Sequence, residues 1–396
     1  MAKPLEDIIV LDLTRVLAGP YCTMVLSDLG AEIIKVERPE IGDDSRYFGP
    51  FKNEQSLYFL SLNRGKKSIS INLKSEKGKE ILKGLVKKSD VLVENFRPGT
   101  MEKLGLGYDV LKEINPKLIY AASSGFGHTG PDSKKPAYDM LVQAMGGIMS
   151  ITGWPNTPPT RVGMSIGDIT AALFTSIGVT TALYQRKITG KGQKVDVAML
   201  DSQVAILENA LVRYQTDGVV PTPLGNRHPT ITPFQAFKAK DAYIVIPIGN
   251  DNLWKKFCKM IGKEDFISDE RFISNDIRTE NINILIPILD EIIESRTSSE
   301  WITLLESAGI PCGPINTIDK VMSNEQILYR HMIVEVDDEK AGKIKIAGNP
   351  IKMSNLPEDE KRKAPPEIGE DTNEILQKFL GYDKNMIKNL KENGVI

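Results

Sequence analysis

Apolar, β-branched runs separated by stretches of helical length recur along the first half of the chain. Residues 7–13 (Asp-Ile-Ile-Val-Leu-Asp-Leu) form one such run, a helical stretch opens at Gly19-Pro20 and reaches Leu29, Gly30 ends it, and Ala31 to Val36 is apolar again. That is one βαβ unit. The alternation continues with a strand near 67–73, a helix near 75–87, a strand near 90–94, a helix near 100–112 and a strand near 118–123. Strands that alternate with helices imply a parallel sheet covered on both faces, because each parallel crossover carries its helix back over the sheet. After a Pro- and Thr-rich loop at 154–160, the pattern predicts a helix from about 169 to 187 that stops before Gly190, then a strand near 193–198 and a further helix, ending this half near residue 215.

A different pattern follows. The segment 218–232 is rich in proline, with Gly218 and Gly225 and little periodicity, and reads as a linker or crossing segment. Phe234 to Lys238 and Tyr243 to Pro247 form a predicted hairpin, and amphipathic helices are expected near 251–261, 279–295 and 299–308, which together make a small α/β domain. Pro311, Gly313 and Pro314 break the pattern. Ile333 to Val336 and Lys343 to Ile346 read as strands, and helices near 371–380 and 384–392 finish the chain.

Composition narrows the function without naming it. At 396 residues the chain exceeds what one compact core usually holds, so two domains are expected. Its 50 basic and 52 acidic residues nearly cancel, which offers neither the basic excess of a nucleic-acid binder nor an acidic tail. Cys22, Cys258 and Cys312 lie far apart and form no CxxC pair, so a disulfide framework and a zinc site are both disfavoured and a reducing cytoplasm fits best. The first residues lack the apolar stretch of a signal peptide. The most apolar helix, near 171–184, reads as too short and too rich in hydroxyls to span a bilayer, so no membrane partner is expected.

Candidate chemistry sits at the turns. The first strand–helix turn, Arg15-Val16-Leu17-Ala18-Gly19-Pro20, has one glycine in place of the GxGxxG spacing, and Pro20 removes a backbone donor, so a dinucleotide site is disfavoured. Asn95-Phe96-Arg97-Pro98-Gly99 follows a buried strand and falls where open α/β sheets bind ligands. An aromatic with amide and cationic neighbours suits a purine and phosphate, although a Pro-Gly turn with a solvated arginine accounts for the same residues. Asp168, in Ser165-Ile166-Gly167-Asp168-Ile169, stands between irregular sequence and a long apolar helix. Position alone makes it a helix N-cap, accepting backbone N–H bonds. A partly desolvated carboxylate beside a Gly-containing loop also suits a nucleophile, since only the anion attacks a thioester. His128, His228 and His331 are isolated and form no metal-ligand spacing, and Ser123-Ser124-Gly125-Phe126-Gly127 departs from the G-x-S-x-G elbow of serine hydrolases.

Taken together, Leu11-Asp12-Leu13 with Val16-Leu17-Ala18-Gly19-Pro20, the run from Asp28 to Glu37, Glu94-Asn95-Phe96-Arg97-Pro98-Gly99 and Gly190-Lys191-Gly192-Gln193 resemble the class III CoA-transferases over nearly the whole chain. The sequence looks closest to the succinyl-CoA:glutarate type. The resemblance implies a Rossmann-like large domain with a parallel sheet at 1–215, a linker at 216–232, the small α/β domain at 233–312, a linker at 313–335 and a C-terminal segment, 336–396, that rejoins the large domain. An interlocked homodimer, coenzyme A as the substrate thioester, a carboxylic and preferably dicarboxylic acid as co-substrate, and no metal are implied as well.

Residue by residue, the resemblance places the family's nucleophile on Asp168 and its CoA contacts on Val16, Leu17, Ala18, Arg38, Ile71, Lys74, Asn95, Phe96, Lys103 and Tyr138. Arg15, Arg46 and Arg227 become candidates for a second substrate carboxylate, with Phe48 and Tyr58 as further substrate contacts, and backbone N–H groups at the start of the catalytic helix are expected to hold oxyanions. Three departures bear on substrate. Leu17 replaces a glutamine of the formyl-CoA:oxalate enzyme, Lys103 replaces an arginine and so loses bidentate geometry, and the polyglycine loop of that enzyme is missing. Related racemases carry a catalytic histidine where this chain has Tyr138, and a second acid where it has Ile248-Gly249-Asn250, which disfavours α-proton abstraction. The rival readings are a CoA-thioester racemase and a non-catalytic acyl-CoA binder.

Overall fold

The structure is a computed structural model that describes residues 3–356 and 361–396. Six strands form its central sheet: β1 (Ile9–Asp12), β2 (Glu32–Glu37), β3 (Lys67–Ser70), β4 (Val91–Glu94), β5 (Ile119–Ser124) and β6 (Lys194–Ala198). Their order across the sheet is β3-β2-β1-β4-β5-β6, and every neighbouring pair runs parallel. The direction of winding reverses between β1 and β4. Open α/β sheets bind ligands beyond the carboxyl ends of their strands at such a reversal.

Successive side chains on a strand face opposite ways, and here both faces are buried. Leu11, Ile34, Leu92 and Tyr120 enter one core cluster, whereas Val10, Ile33, Val91, Val93, Ile119 and Ala121 enter another. Helix α1 (Ala18–Asp28) contributes to the second face. Helices α2 (Leu57–Asn63), α3 (Glu76–Val86), α4 (Tyr108–Ile114) and α5 (Asp139–Met145) follow in the chain. The long helix α6 (Ile166–Thr189) lays Ala172, Val179, Ala182 and Leu183 beside Cys22 and Leu26 of α1. Near the end of the chain, α7 (Thr372–Leu380) and α8 (Lys384–Glu392) place Ile375, Leu376, Ile387 and Leu390 in the first cluster with Ile81 and Leu85 of α3.

At 24 residues α6 is longer than its sequence pattern predicts, and its length and composition alone would let it cross a membrane. That corrects the expectation that it is too short. Half of its most apolar window is buried inside the protein, and its hydroxyls bond within the helix, Thr175 to the Ala171 carbonyl and Ser176 to that of Ala172.

The chain divides into two compact units. The first holds residues up to Ile148, Val162–Leu211 and Glu325–Ile396, and the second holds Met149–Arg161 and Val212–Asn324. The loop at 149–161, which sequence places in the first half, thus belongs to the second unit, and 325–335, read as linker, to the first. In the second unit Phe234–Lys238, Tyr243–Pro247 and Gly313–Pro314 pair antiparallel, and their sheet packs on helices carrying Trp254, Phe257, Leu289 and Trp301.

Candidate active site

The carboxyl ends of β1, β2 and β3, the turn after β4 and the C-terminal segment enclose a cavity of about 1080 Å³. Arg15, Arg38, Ile71, Lys74, Phe96 and Lys103, all anticipated from sequence, line it, and so does Lys391, which sequence reasoning missed. The Arg15 guanidinium lies 5.3 Å from the centre of the Phe96 ring. Asp44 bridges the two arginines, 2.9 Å from Arg15 and 2.6 Å from Arg38. Lys74, Lys103 and Lys391 have no ion-pair partner among the described residues. A cavity walled by apolar strand ends and rimmed by unneutralised lysines suits a ligand that joins an aromatic base to several phosphates.

Asp168 lies outside that cavity, in the first turn of α6. The residue at the N-cap is Ser165, and Asp168 is not a cap, which corrects the reading from position alone. Its carboxylate instead faces the backbone N–H of Ala18, at the start of a different helix, which favours the ionised form. Burial, and next the negative charge of Asp139, push its pKa up from 3.8 to about 7. Asp139 opens α5 and accepts the Gly167 N–H at 2.8 Å, so one of the donors expected to hold an oxyanion is already taken. Gln143 holds the other Asp139 oxygen at 2.7 Å and receives Val162 N–H at 2.9 Å. Gly167 is required here by close approach: a Cβ would sit 2.7 Å from Val142 Cγ2.

Tyr58 on α2 belongs to the same cluster. Burial raises its hydroxyl pKa to about 12, with Asp168, Asp43 and Asp139 adding to the effect, so it stays a neutral donor beside the Asp168 carboxylate. Phe48 packs edge-on against it, with ring centres 5.9 Å apart. The structure therefore gathers Ala18, Tyr58, Phe48 and Asp168 in one place.

The remaining anticipated residues divide. Arg46 is committed to Glu37 through two hydrogen bonds of 2.7 and 2.8 Å and lies 3.8 Å over the Phe59 ring, so its fork has a structural occupation. Asn95 turns onto the first loop and brackets Arg15, accepting its N–H at 2.9 Å and donating to its carbonyl at 2.8 Å. Tyr138 is 82% exposed immediately before Asp139. Arg227 lies in the second unit. His128, isolated in sequence, packs its ring 3.0 Å from Lys194 Nζ and 3.6 Å from Glu94. Asp43, Asp44, Asp139 and Lys391 are the site residues that sequence did not single out.

With this geometry in place, comparison with known proteins fixes the family. The profile of CoA-transferase family III matches residues 5–372. The acetyl-CoA:oxalate CoA-transferase of Acetobacter aceti is 43% identical over 95% of this chain and 96% of its own length. The succinyl-CoA:glutarate CoA-transferase of Homo sapiens is 41% identical over 100% and 90%. A crystal structure of a CAIB/BAIF family protein from Brucella suis superposes with a TM-score of 0.83 at 37% identity, covering 96% of this chain and 100% of that one. The chain belongs to CoA-transferase family III and is an enzyme of that class.

Proposed function

We propose that the enzyme moves coenzyme A from a succinyl-CoA-like donor to a dicarboxylic acid, with Asp168 as the nucleophile. The observation that carries this is a single loop: it borders the cationic cavity at Leu13 to Arg15 and reaches the Asp168 carboxylate at Ala18. A CoA nucleotide held by Arg38, Lys74, Lys103 and Phe96 would so direct its thioester along Val16 to Ala18 toward Asp168. The ionised Asp168 attacks the donor thioester, forming a mixed anhydride and releasing CoA thiolate. The thiolate attacks the aspartyl carbonyl and expels the donor acid, leaving an aspartyl-CoA thioester. The acceptor carboxylate then attacks that thioester, giving a second anhydride and free thiolate. Attack of the thiolate on the acceptor's acyl carbon forms the new acyl-CoA and restores Asp168.

Each intermediate hydrolyses if water enters, so an apolar, closed setting serves the chemistry. Tyr58, neutral throughout the working pH range, is suited to donate to the oxyanion or to the distal substrate carboxylate. Arg15, half free of Asp44, is the better arginine for that carboxylate, since Arg46 is engaged by Glu37. The relatives named for succinyl-CoA:glutarate and acetyl-CoA:oxalate transfer support a CoA donor with a dicarboxylate acceptor. A homodimer is part of this reading. Leu173, Phe174, Ile177, Tyr184 and Ile188 leave an exposed apolar stripe along α6, and Met140, Leu141 and Met145 are exposed on α5, as a second copy would require. Free thiols at Cys22, Cys258 and Cys312 suit the cytoplasm.

The test is a transfer assay with succinyl-CoA, acetyl-CoA and formyl-CoA against glutarate, oxalate, succinate and monocarboxylates. Acceptor-dependent formation of a new acyl-CoA, favouring dicarboxylates, is expected. Deuterium exchange at the α-carbon with no transfer would instead favour the racemase.

A further inference from the structure

Val16 has a backbone φ of 68°. A β-branched residue in the left-handed region is an outlier that persists only where its surroundings hold it. The surroundings here are four polar side chains from separate elements. Asp43 Oδ1 accepts the Val16 N–H at 3.1 Å and the Ser45 N–H at 2.8 Å. Its Oδ2 lies 2.8 Å from Lys35 Nζ, in a pair whose side chains are both 1% exposed. Lys35 in turn donates to the Thr14 carbonyl at 2.9 Å, and Asp12 accepts the Thr14 N–H at 2.9 Å. Asn95 fixes both backbone groups of Arg15. Every residue from Thr14 to Val16 is thus pinned, and two residues further on the N–H of Ala18 faces the Asp168 carboxylate.

A fully buried ion pair is a weak stabiliser, because desolvation cancels most of the attraction. Geometry is the better reason for this one. We infer that the Lys35–Asp43 pair is a positioning device for Asp168, acting through Val16 to aim the Ala18 N–H at its carboxylate; the inference rests on Asp168 being the nucleophile. The groups facing that carboxylate are Asp139 from α5, Tyr58 from α2 and the Ala18 N–H from α1. Among these, Ala18 favours the anion and Asp139 opposes it. A loop that drifts therefore leaves burial and Asp139 unopposed, and the nucleophile protonates at a higher pH.

Val16→Gly and Asp43→Ala test this with the intact enzyme. Glycine adopts a φ of 68° without penalty, so Val16→Gly should fold as well as wild type while losing the constraint on the loop. The measurement is the pH dependence of single-turnover aspartyl-CoA formation from succinyl-CoA, read by intact-protein mass spectrometry, alongside thermal melting. In both variants the midpoint of the acid limb should rise by about one pH unit, so that the rate at pH 6 falls about ninefold while the rate at pH 8.5 falls by only about a quarter. A midpoint unchanged in Val16→Gly, with any loss of rate tracking melting alone, overturns the inference while leaving the nucleophile in place. If wild type itself forms no adduct on Asp168, the nucleophile reading falls first and this inference with it.

Discussion

Replacing Asp168 by Asn should stabilise the protein, and by an amount that depends on pH. Burial and the neighbouring Asp139 raise the Asp168 pKa to about 7 from 3.8, so the folded protein binds a proton there that the unfolded chain does not hold between those values. The sign follows from linkage. Stability falls as pH climbs from about 4 to 7, because folding must then bury a charge, and the full penalty is present above pH 7. Each tenfold change in proton affinity is worth about 1.4 kcal/mol, which makes the penalty about 4 kcal/mol at pH 8 and about 1.7 kcal/mol at pH 5. Asparagine removes the charge but keeps an oxygen on the side of the Ala18 N–H, so the shape and polarity of the site are kept. Urea unfolding of the unit that carries α6, measured for both proteins from pH 5 to 8.5, reads the difference. A stability gain that grows with pH supports the burial of an unpaired carboxylate. A gain that is flat across that range, or a loss, refutes it.

Other perturbations follow from the same geometry. Asp139→Asn removes the nearest negative charge and should move the acid limb of the rate profile to lower pH, opposite to the loop variants above; kcat against pH checks it. Lys391→Ala and Lys74→Ala should each weaken CoA binding about tenfold at low salt, and less at high salt, as isothermal titration at two ionic strengths would show. A charge-introducing pair on the outer stripe of α6, Ile177→Glu with Tyr184→Glu, should yield monomers in analytical ultracentrifugation if that face receives a second copy.

Much of the fold was legible because periodicity reports burial directly. The hairpin at 234–238 and 243–247 lies where alternation placed it, and α8 occupies the predicted 384–392. Boundaries failed where a local breaker outweighed the pattern: the helix near 100–112 splits into Thr100–Lys103 and Tyr108–Ile114, with Gly105 at a φ of 69° between them. The helix near 279–295 divides into Asn275–Glu280 and Ile282–Glu294, although Pro287 lies within the second piece without ending it. Short α2, which carries Tyr58, has too few turns for a periodic signal. The candidate site was legible where a residue sits on a strand end or in a recognisable motif, as with Asp168, Phe96 and Arg38. Lys391 was hidden because it reaches the cavity from the other end of the chain. Asp43 and Asp139 were hidden because a carboxylate that accepts backbone N–H groups leaves no spacing pattern, only a fold that makes it necessary.

The most direct test of the mechanism is peptide mass spectrometry of the enzyme after incubation with succinyl-CoA and hydroxylamine, comparing wild type with Asp168→Ala. A hydroxamate confined to the peptide containing Asp168, and missing from the variant, is the predicted result. Transfer that proceeds in wild type with no label at Asp168, or that survives in Asp168→Ala, would contradict an aspartyl intermediate.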